Sequence, residues 1–457
     1  MPVRTTPAAP GLAGTTVRGR AYPDRRAATV AVLVLAVAAA VAAAHWPVWT
    51  LAGLLTIAAV ALAVARLPLA VAVLTASFYF DAYLAVGAGI VTIGKLLGVV
   101  ALLAWFLAWG VGRRRTVGEP LLWPLAGLAA WLPLSLSAAY DQGAGLTVAL
   151  RYLTFFTLVF LVVQTVDGDR PTAVRLVDVA VAAAAVSALV GLAAFLAHGG
   201  RARGPLDDPN DYAFVLAVTV PLALYRIRSA TGRLGRTLAV LAVAAMSAAI
   251  LATLSRSALT GLAVAGVWAT VTRRLPLRWA TLTVAGMLAL GLGWYALQPQ
   301  RVETALGAKQ HVAQSNVDLR IVAWRVALEE VRSSPILGVG PGNFEVRFDE
   351  FAPPGATGQA ALATHDAYLS VLGELGIPGF GLFLAYLALS WARLRRRHGD
   401  ADADAMRSAL AGGFIVAVVG ALFLTEQFYA PLWLLPAIGA TLARPGQADR
   451  GQGAPQA

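Results

Sequence analysis

Apolar segments about 17–25 residues long recur along this chain, and each has the length of helix needed to cross a hydrocarbon layer roughly 30 Å thick. They fall near 27–45, 48–65, 67–85, 95–111, 120–139, 147–166, 172–197, 212–227, 236–254, 257–271, 279–296, 366–392, 406–424 and 428–444. No water is present in a bilayer core to satisfy backbone N–H and C=O groups, so such blocks must form helices that pair those groups internally. Charge content points the same way. Of 457 residues only 13% are charged and 58% are hydrophobic, too few charges to coat a soluble domain of that size. The expected fold is all-α, a polytopic integral membrane protein with about 12–14 transmembrane helices and a large helical outer loop.

The net charge of +12 matters through its location. Spread over a soluble surface it would point to nucleic acid; in a membrane protein it reports orientation. Simple alternation from a cytoplasmic N-terminus gives inner loops containing Arg66, Arg113 to Arg115, Arg170, Arg226 with Arg228, Arg233 and Arg236, Arg273 with Arg274 and Arg278, and Arg393 with Arg395 to Arg397. Every basic cluster lands on one side, as the positive-inside rule requires. The domain plan is therefore a disordered cytoplasmic tail 1–26, helices over 27–296, an outer loop 297–365, helices over 366–444, and a disordered tail 445–457. The tail 1–26 holds five arginines and precedes an apolar block that reads as an uncleaved signal anchor. With no Cys in the chain, disulfides and thiolate chemistry are excluded.

Three features then share the outer face: the loop 198–211, HGGRARGPLDDPND; the turn Ser255-Arg256-Ser257; and the loop 297–365. Within the last, NVDLRIVAWRVALEEVRSS from Asn316 to Ser334 predicts an amphipathic helix. Leu319, Val322 and Val326, with Val317, Trp324, Leu328 and Val331, supply its apolar residues; Ser315 or Asn316 would cap it and Pro335 would close it. A Gly/Pro turn cluster follows, PILGVGPGNF.

Basic residues on the outer side break the charge bias. Arg256 sits between two apolar blocks with almost no loop, so it either snorkels to the interface or meets an anion; the flanking serines favour the anion. Arg201 and Arg203 lie beside Asp207, Asp208 and Asp211, where local ion pairing is the bland alternative. Arg320 lies one helical turn before Trp324, and its guanidinium fork suits phosphate oxygens if it is more than a solvated surface residue. Of five histidines, His365 stands at the outer mouth of a span with Asp366 beside it. An imidazole there is either a polar helix end or a base able to accept a hydroxyl proton. Glu374 falls about 13 Å deeper on an ideal helix and on its opposite side, so an orienting role is expected unless Gly373, Gly376 or Pro378 breaks the helix. No closely spaced set of metal-ligating residues is evident, so neither metal nor cofactor is expected.

Four segments in order resemble one family. RARGPLDDPNDYA (Arg201 to Ala213, with Asn210) is similar to an outer-loop pattern of Arg, Gly, Pro-Asn and Ala. LSRSALTGLAV (Leu254 to Val264) looks like its Ser-Arg turn. LRIVAWRVALEEVRSSPILGVGPGNF resembles its Arg, Trp, Pro, Gly-x-Gly-x-Gly-x-Phe run, and THDAYLSVLGELGIPG its His-Asn, Leu, Glu-x-Gly, Gly segment. The family is that of the O-antigen ligases and O-antigen polymerases, membrane glycosyltransferases, and the resemblance covers roughly 195–390. One departure is Asp366, where the family places Asn.

That resemblance implies a GT-C-like, metal-independent, inverting transferase in the bacterial inner membrane, its site facing the periplasm or exterior. The implied donor is a glycan on undecaprenyl diphosphate and the acceptor a hydroxyl of a lipid or glycan, with no nucleic acid involved. It further implies that Arg256 and Arg320, with Arg201 and Arg203 nearby, hold the diphosphate, and that His365 with Asp366 deprotonates the acceptor. Glu374, Trp324 and Asn210 would orient these groups. A secondary transporter or lipid-linked glycan flippase is the alternative, with Asp81, Asp178, Glu374 and Glu426 as candidate mid-span charges.

Overall fold

The computed structural model describes residues 63–80, 85–86, 91–112, 114–206, 208–274, 277–297, 299–353, 363–396 and 400–442, all within one compact unit. Both expected tails, the block 27–45 and most of 48–65, with His45, Asp81, Asp207 and His398, lie outside the described residues. So do the side chains of His311 and Glu426.

The described chain is all-α apart from one antiparallel ladder of two-residue strands. Its elements are α1 (Leu67–Ser77), β1 (Ala85–Val86), β2 (Val91–Thr92), α2 (Ile93–Gly110), α3 (Leu122–Leu136), α4 (Gln142–Val166), α5 (Arg170–His198) and α6 (Pro209–Ser229). Then come α7 (Arg233–Thr253), α8 (Arg256–Val271), α9 (Leu277–Leu297), α10 (Pro299–Ser333), α11 (Phe344–Phe351), α12 (Ala367–Leu394), α13 (Ala401–Gly420) and α14 (Ala430–Thr441). Seven of them, α2, α4, α5, α6, α7, α12 and α13, are long and apolar enough to cross a membrane, and α1, α3 and α14 are shorter apolar helices. The protein is a multi-pass membrane protein.

α6 is the hub, packed against α7, α13, α5 and α8. Its first turn is set by local rules: Asp208 accepts the amide hydrogens of Asn210 and Asp211 at 2.6 and 3.2 Å, and Pro209 occupies the first helical position. A second aromatic core surrounds Trp433 of α14, whose ring lies 4.9 Å from Tyr386, 5.5 Å from Phe156 and 6.1 Å from Phe155.

Polar groups gather at the two ends of the bundle. At one end Arg170 pairs with Asp400 and Asp402 at 3.1 and 3.0 Å, Arg393 with the buried Glu119 at 2.8 Å, and Arg226 with Asp178. Arg274 reaches Ser408 and the Arg395 carbonyl there as well. The transporter reading needed Asp178 as a free mid-span charge; instead it meets an arginine in the last turn of α6. At the opposite end the loop 198–211 is tied to the end of α7, the long loop to the residues that precede α12, and α12 to α13. Ala202 N–H donates to the Ala252 carbonyl at 3.0 Å, Trp324 Nε1 to the Thr364 carbonyl at 3.2 Å, and Ala367 N–H to the Ala421 carbonyl at 2.8 Å.

Two expectations about the long loop change. Its helix does not start at Asn316: α10 begins at Pro299 and runs through Ser315 and Asn316 without a cap there. The sequence ETALGAKQHVAQ contains mostly good helix formers and nothing that stops propagation. The packed seam also differs. Ala323, Val326, Ala327 and Glu330 are buried at helical spacing against Phe344 and Phe348, while Leu328 is exposed.

The turn cluster PILGVGPGNF lies against α12 where that helix breaks. Gly376 takes φ +68° and ψ −177°, releasing carbonyls that the cluster then satisfies. Val339 N–H donates to Gly373 O and Gly340 N–H to Glu374 O, each at 3.0 Å, and Ile377 N–H reaches back to Pro335 O at 2.9 Å. Ser135 Oγ of α3 donates to Leu337 O and Glu374 O at 2.8 and 3.0 Å. The backbones approach so closely that a Cβ on Gly338 would stand 2.3 Å from Glu374 O, and one on Gly376 2.1 Å from Ile336 O. Only glycine fits at either position.

Candidate functional site

The site assembles where α6, α8, α10 and α12 begin or pass at one end of the bundle. Arg256 is the first residue of α8. It is delivered by a sharp turn in which Leu254 closes α7 in the left-handed region at φ +55° and the buried Ser255 opens α8. Ser255 and Ser257 share a hydrogen bond of 3.0 Å, so the flanking hydroxyls first serve each other. Arg256 itself is exposed.

His365 stands on a comparable turn. It too is left-handed, at φ +49°, a conformation that costs a non-glycine residue about 1–2 kcal/mol and persists only when neighbours enforce it. Those neighbours are visible. Buried Thr364 donates its hydroxyl to Asp366 O at 2.9 Å, and Trp324 of α10 holds the Thr364 carbonyl. Asp366 Oδ1 accepts the amide hydrogens of Tyr368 and Leu369, both at 2.9 Å, and so caps α12. Burial pushes the Asp366 carboxyl above its ordinary range, opposed by those two amides. Asp366 therefore acts on His365 through the backbone turn.

Charge interactions tie the distant segments together. Burial lowers the pKa of the half-buried Arg320, the Arg256 guanidinium lowers it further, and the Asp208 carboxylate opposes both. His365 is exposed at one edge, yet enough protein surrounds the ring to lower its pKa; Arg320 adds to that effect and Asp208 again opposes it. Arg320 thus feels both Arg256 and Asp208, and His365 feels Arg320 and Asp208, so Arg320 and Asp208 link segments far apart in sequence. An imidazole whose pKa is lowered beside a guanidinium has the chemistry of a base next to an anion-binding group.

Arg201 is placed differently from Arg256. Its Nε donates to the Thr253 carbonyl at 2.7 Å and its Nη2 to Asn210 Oδ1 at 2.8 Å, bracing the 199–208 loop against the end of α7. Two of its three nitrogens are thereby committed to protein, and Asn210 has an orienting part through the same bond. Arg203 is exposed and near enough to lower the Arg201 pKa, after burial and the opposing pull of Asp208.

Glu374 is buried at the break in α12, near the backbone amides of Gly342 and Phe344, and away from His365. A second acid sits behind it. Glu330 of α10 is fully buried, its carboxyl oxygens lack a partner, and its Oε2 would meet a Cβ on Gly373 at 2.9 Å. Burial, with Glu374 adding, pushes its pKa up to about 9. Among the described residues no three His, Asp or Glu side chains gather in a metal-binding group.

Sequence reasoning passed over two residues. Asp208 was grouped with its acidic neighbours as a local ion pair; the signal that marked it was Asp-Pro-Asn-Asp, a helix-start motif that fixes its carboxylate at the mouth of α6. Glu330 was hidden because nothing in Glu329-Glu330 marks which of the two carboxylates turns inward.

Residues 241–384 match the family model described as O-antigen ligase. That span holds Arg256, Arg320, Trp324, His365, Asp366 and Glu374, and ends before reaching back to Arg201, Arg203 and Asn210. A search of curated proteins finds no match to this chain.

Proposed function

We propose that this chain, which belongs to the O-antigen ligase family through residues 241–384, transfers a glycan from undecaprenyl diphosphate to an acceptor hydroxyl at the outer face of the bacterial inner membrane. The observation that supports the reading is the proximity of Arg320 to both Arg256 and His365, with Asp208 acting on Arg320 and His365.

In this mechanism Arg256 and Arg320 hold the diphosphate. His365 takes the proton of the acceptor hydroxyl as its oxygen attacks the anomeric carbon, and the bond from that carbon to the diphosphate breaks. Negative charge grows on the leaving diphosphate, where the guanidinium groups stabilise it more strongly than in the ground state. One displacement inverts the anomeric centre, and the proton on His365 returns to water. Asp208 positions both Arg320 and the imidazole. Arg201 and Asn210 hold the loop that carries Asp208, while Trp324 and Asp366 fix the turn that presents His365. Arg203 is left to steer the anion from outside.

The test is transfer measured with purified protein and a glycan on undecaprenyl diphosphate. His365→Ala, Arg256→Ala and Arg320→Ala are each expected to lose about 10²-fold or more in rate, the scale of removing a base or a charge-stabilising donor. Wild-type rates in all three would rule the assignment out.

A further inference from the structure

α10 has one face covered and one bare. At about 100° per residue, Ala323, Val326, Ala327 and Glu330 form the seam packed against α11 and α12. Ile321, Arg325, Leu328 and Arg332 gather within about 60° of one another on the opposite side, and all four are exposed. Two large aliphatic side chains thus alternate with two arginines, and Ile336, exposed just past the helix, continues the row. Bulky apolar groups recurring along one bare face form a contact surface rather than scattered exceptions.

The height of α10 follows from what α12 does beside it. In a straight helix Tyr368 and Phe383 would stand about 22 Å apart. The break at Gly376 brings their ring centroids to 6.3 Å, so the first segment of α12 is turned back and does not project beyond the bundle. Its start is fastened to the end of the membrane-spanning α13: Ala367 N–H donates to Ala421 O and Tyr368 Oη to Val418 O, each at 2.8 Å. Its other end, Gly376, leads into the rest of α12. α10 runs beside this segment, joined to it where Trp324 meets Thr364 O and where Ile377 N–H meets Pro335 O. It therefore lies level with the ends of two membrane-spanning helices. Its bare face also continues into apolar surface on α12, where Ile377 and Leu384, seven residues deeper on the same side, are both exposed.

A lipid leaflet satisfies both components of the stripe. Aliphatic side chains enter the acyl region, while arginine stems run alongside and their guanidinium groups rise to phosphate oxygens. Arg332 also pairs with Glu329 at the edge of the stripe, and two arginines against one glutamate leave the face positive.

We propose that the face of α10 formed by Ile321, Arg325, Leu328, Arg332 and Ile336 is set into the adjacent membrane leaflet, its aliphatic side chains among acyl chains and its arginines on the phosphates of anionic lipids. The inference does not depend on the transferase reading, since it is tested without turnover. The chain has no Cys, so a single introduced thiol carries a spin label without background. Full-length Ile321→Cys, Leu328→Cys and Ile336→Cys are each labelled and reconstituted into bilayers of phosphatidylcholine and phosphatidylglycerol. Relaxation is then read with oxygen, which concentrates in lipid, and with a water-soluble nickel chelate. Leu384→Cys on α12 and Thr231→Cys between α6 and α7 supply the lipid and water references. Expected is oxygen access exceeding nickel access at all three positions, as at Leu384. Adding Arg325→Glu and Arg332→Glu to Leu328→Cys should raise nickel access at least twofold with phosphatidylglycerol present and leave it unchanged in phosphatidylcholine alone. Nickel access equal to that at Thr231 would overturn the proposal. So would dipolar coupling between labels on separate molecules, which would give the face to a second copy of this chain. Nickel access unmoved by the two Glu substitutions in phosphatidylglycerol would overturn the assignment of the arginines to lipid phosphate. Should one labelled variant fail to elute as a single species, the other two read the same face.

Discussion

His365 illustrates how a single side chain is tuned by neighbours that never touch the reacting atoms. Burial and Arg320 hold its pKa below the ordinary 6.5, so it is neutral and able to accept a proton near pH 7. Transfer should then fall on the acid side as the imidazole protonates. Replacing Arg320 by Gln removes a cation that disfavours protonation, which raises the His365 pKa and moves the acid limb to higher pH. Asp208→Asn removes the opposing carboxylate and moves the limb to lower pH, while Asn still caps α6. A pH–rate profile of the two variants checks both directions; limbs that stay in place would mean the titrating group is not His365. Asp366 yields to a similar comparison. Its observed work is capping, so Asp366→Asn should retain activity, whereas Asp366→Ala should lose about 1 kcal/mol of stability, read as a lower Tm. Asn and Asp cap helices about equally well, so the Asp366 that departs from the resembled pattern can serve the same cap. That a His-Asp pair stands at the start of a helix was legible in the sequence. The left-handed turn that presents the imidazole was not, because nothing in Thr-His-Asp demands it without Trp324 holding Thr364 from another helix.

At the scale of elements, α10 and α12 form one device, a helix laid along a broken helix. Gly373, Gly376 and Pro378 left a break open in the sequence, and of the three spaced glycines in PILGVGPGNF, Gly338 lies against that break while Gly340 meets Ala139 and Gly342 meets Ala144 and Val148. What periodicity could not give was which face of α10 would be covered. Alanines score as weakly apolar, so the seam over Ala323 and Ala327 was invisible beside the larger Leu328, which faces outward. The seam includes Glu330, and its titration has a definite consequence. Its folded pKa of about 9 lies above the ordinary 4.5, so the folded carboxyl keeps its proton where the unfolded chain has lost it. Stability should therefore decline as pH rises from about 5 to about 9. Glu330→Gln carries no charge to bury and should flatten that slope, raising Tm by a few degrees at pH 8 and leaving it little changed at pH 5. Thermal unfolding at the two pH values decides it.

Over the whole molecule, the division of polar residues between two ends was readable from the spacing of arginine clusters, because alternation of spans leaves no other arrangement. Convergence of Arg256, Arg320 and His365 was inferable only as sharing a face, since their closeness depends on how α6 positions α8 and on the length of α10. The span count was less legible: short helices such as α3, with Pro133 inside, look like full spans by composition. The two ends are also fastened by different forces. The end bearing the candidate site is joined by backbone hydrogen bonds, Ala202 to Ala252 and Ala367 to Ala421, whereas the opposite end relies on Arg170, Arg226 and Arg393 meeting carboxylates. Dissolved ions weaken charge pairs near water and leave amide bonds nearly untouched. Raising ionic strength should thus loosen one end alone. Hydrogen exchange in 1 M salt (a screening length of about 3 Å) should quicken around residues 114–119 and 400–402 and stay unchanged at 202 and 367.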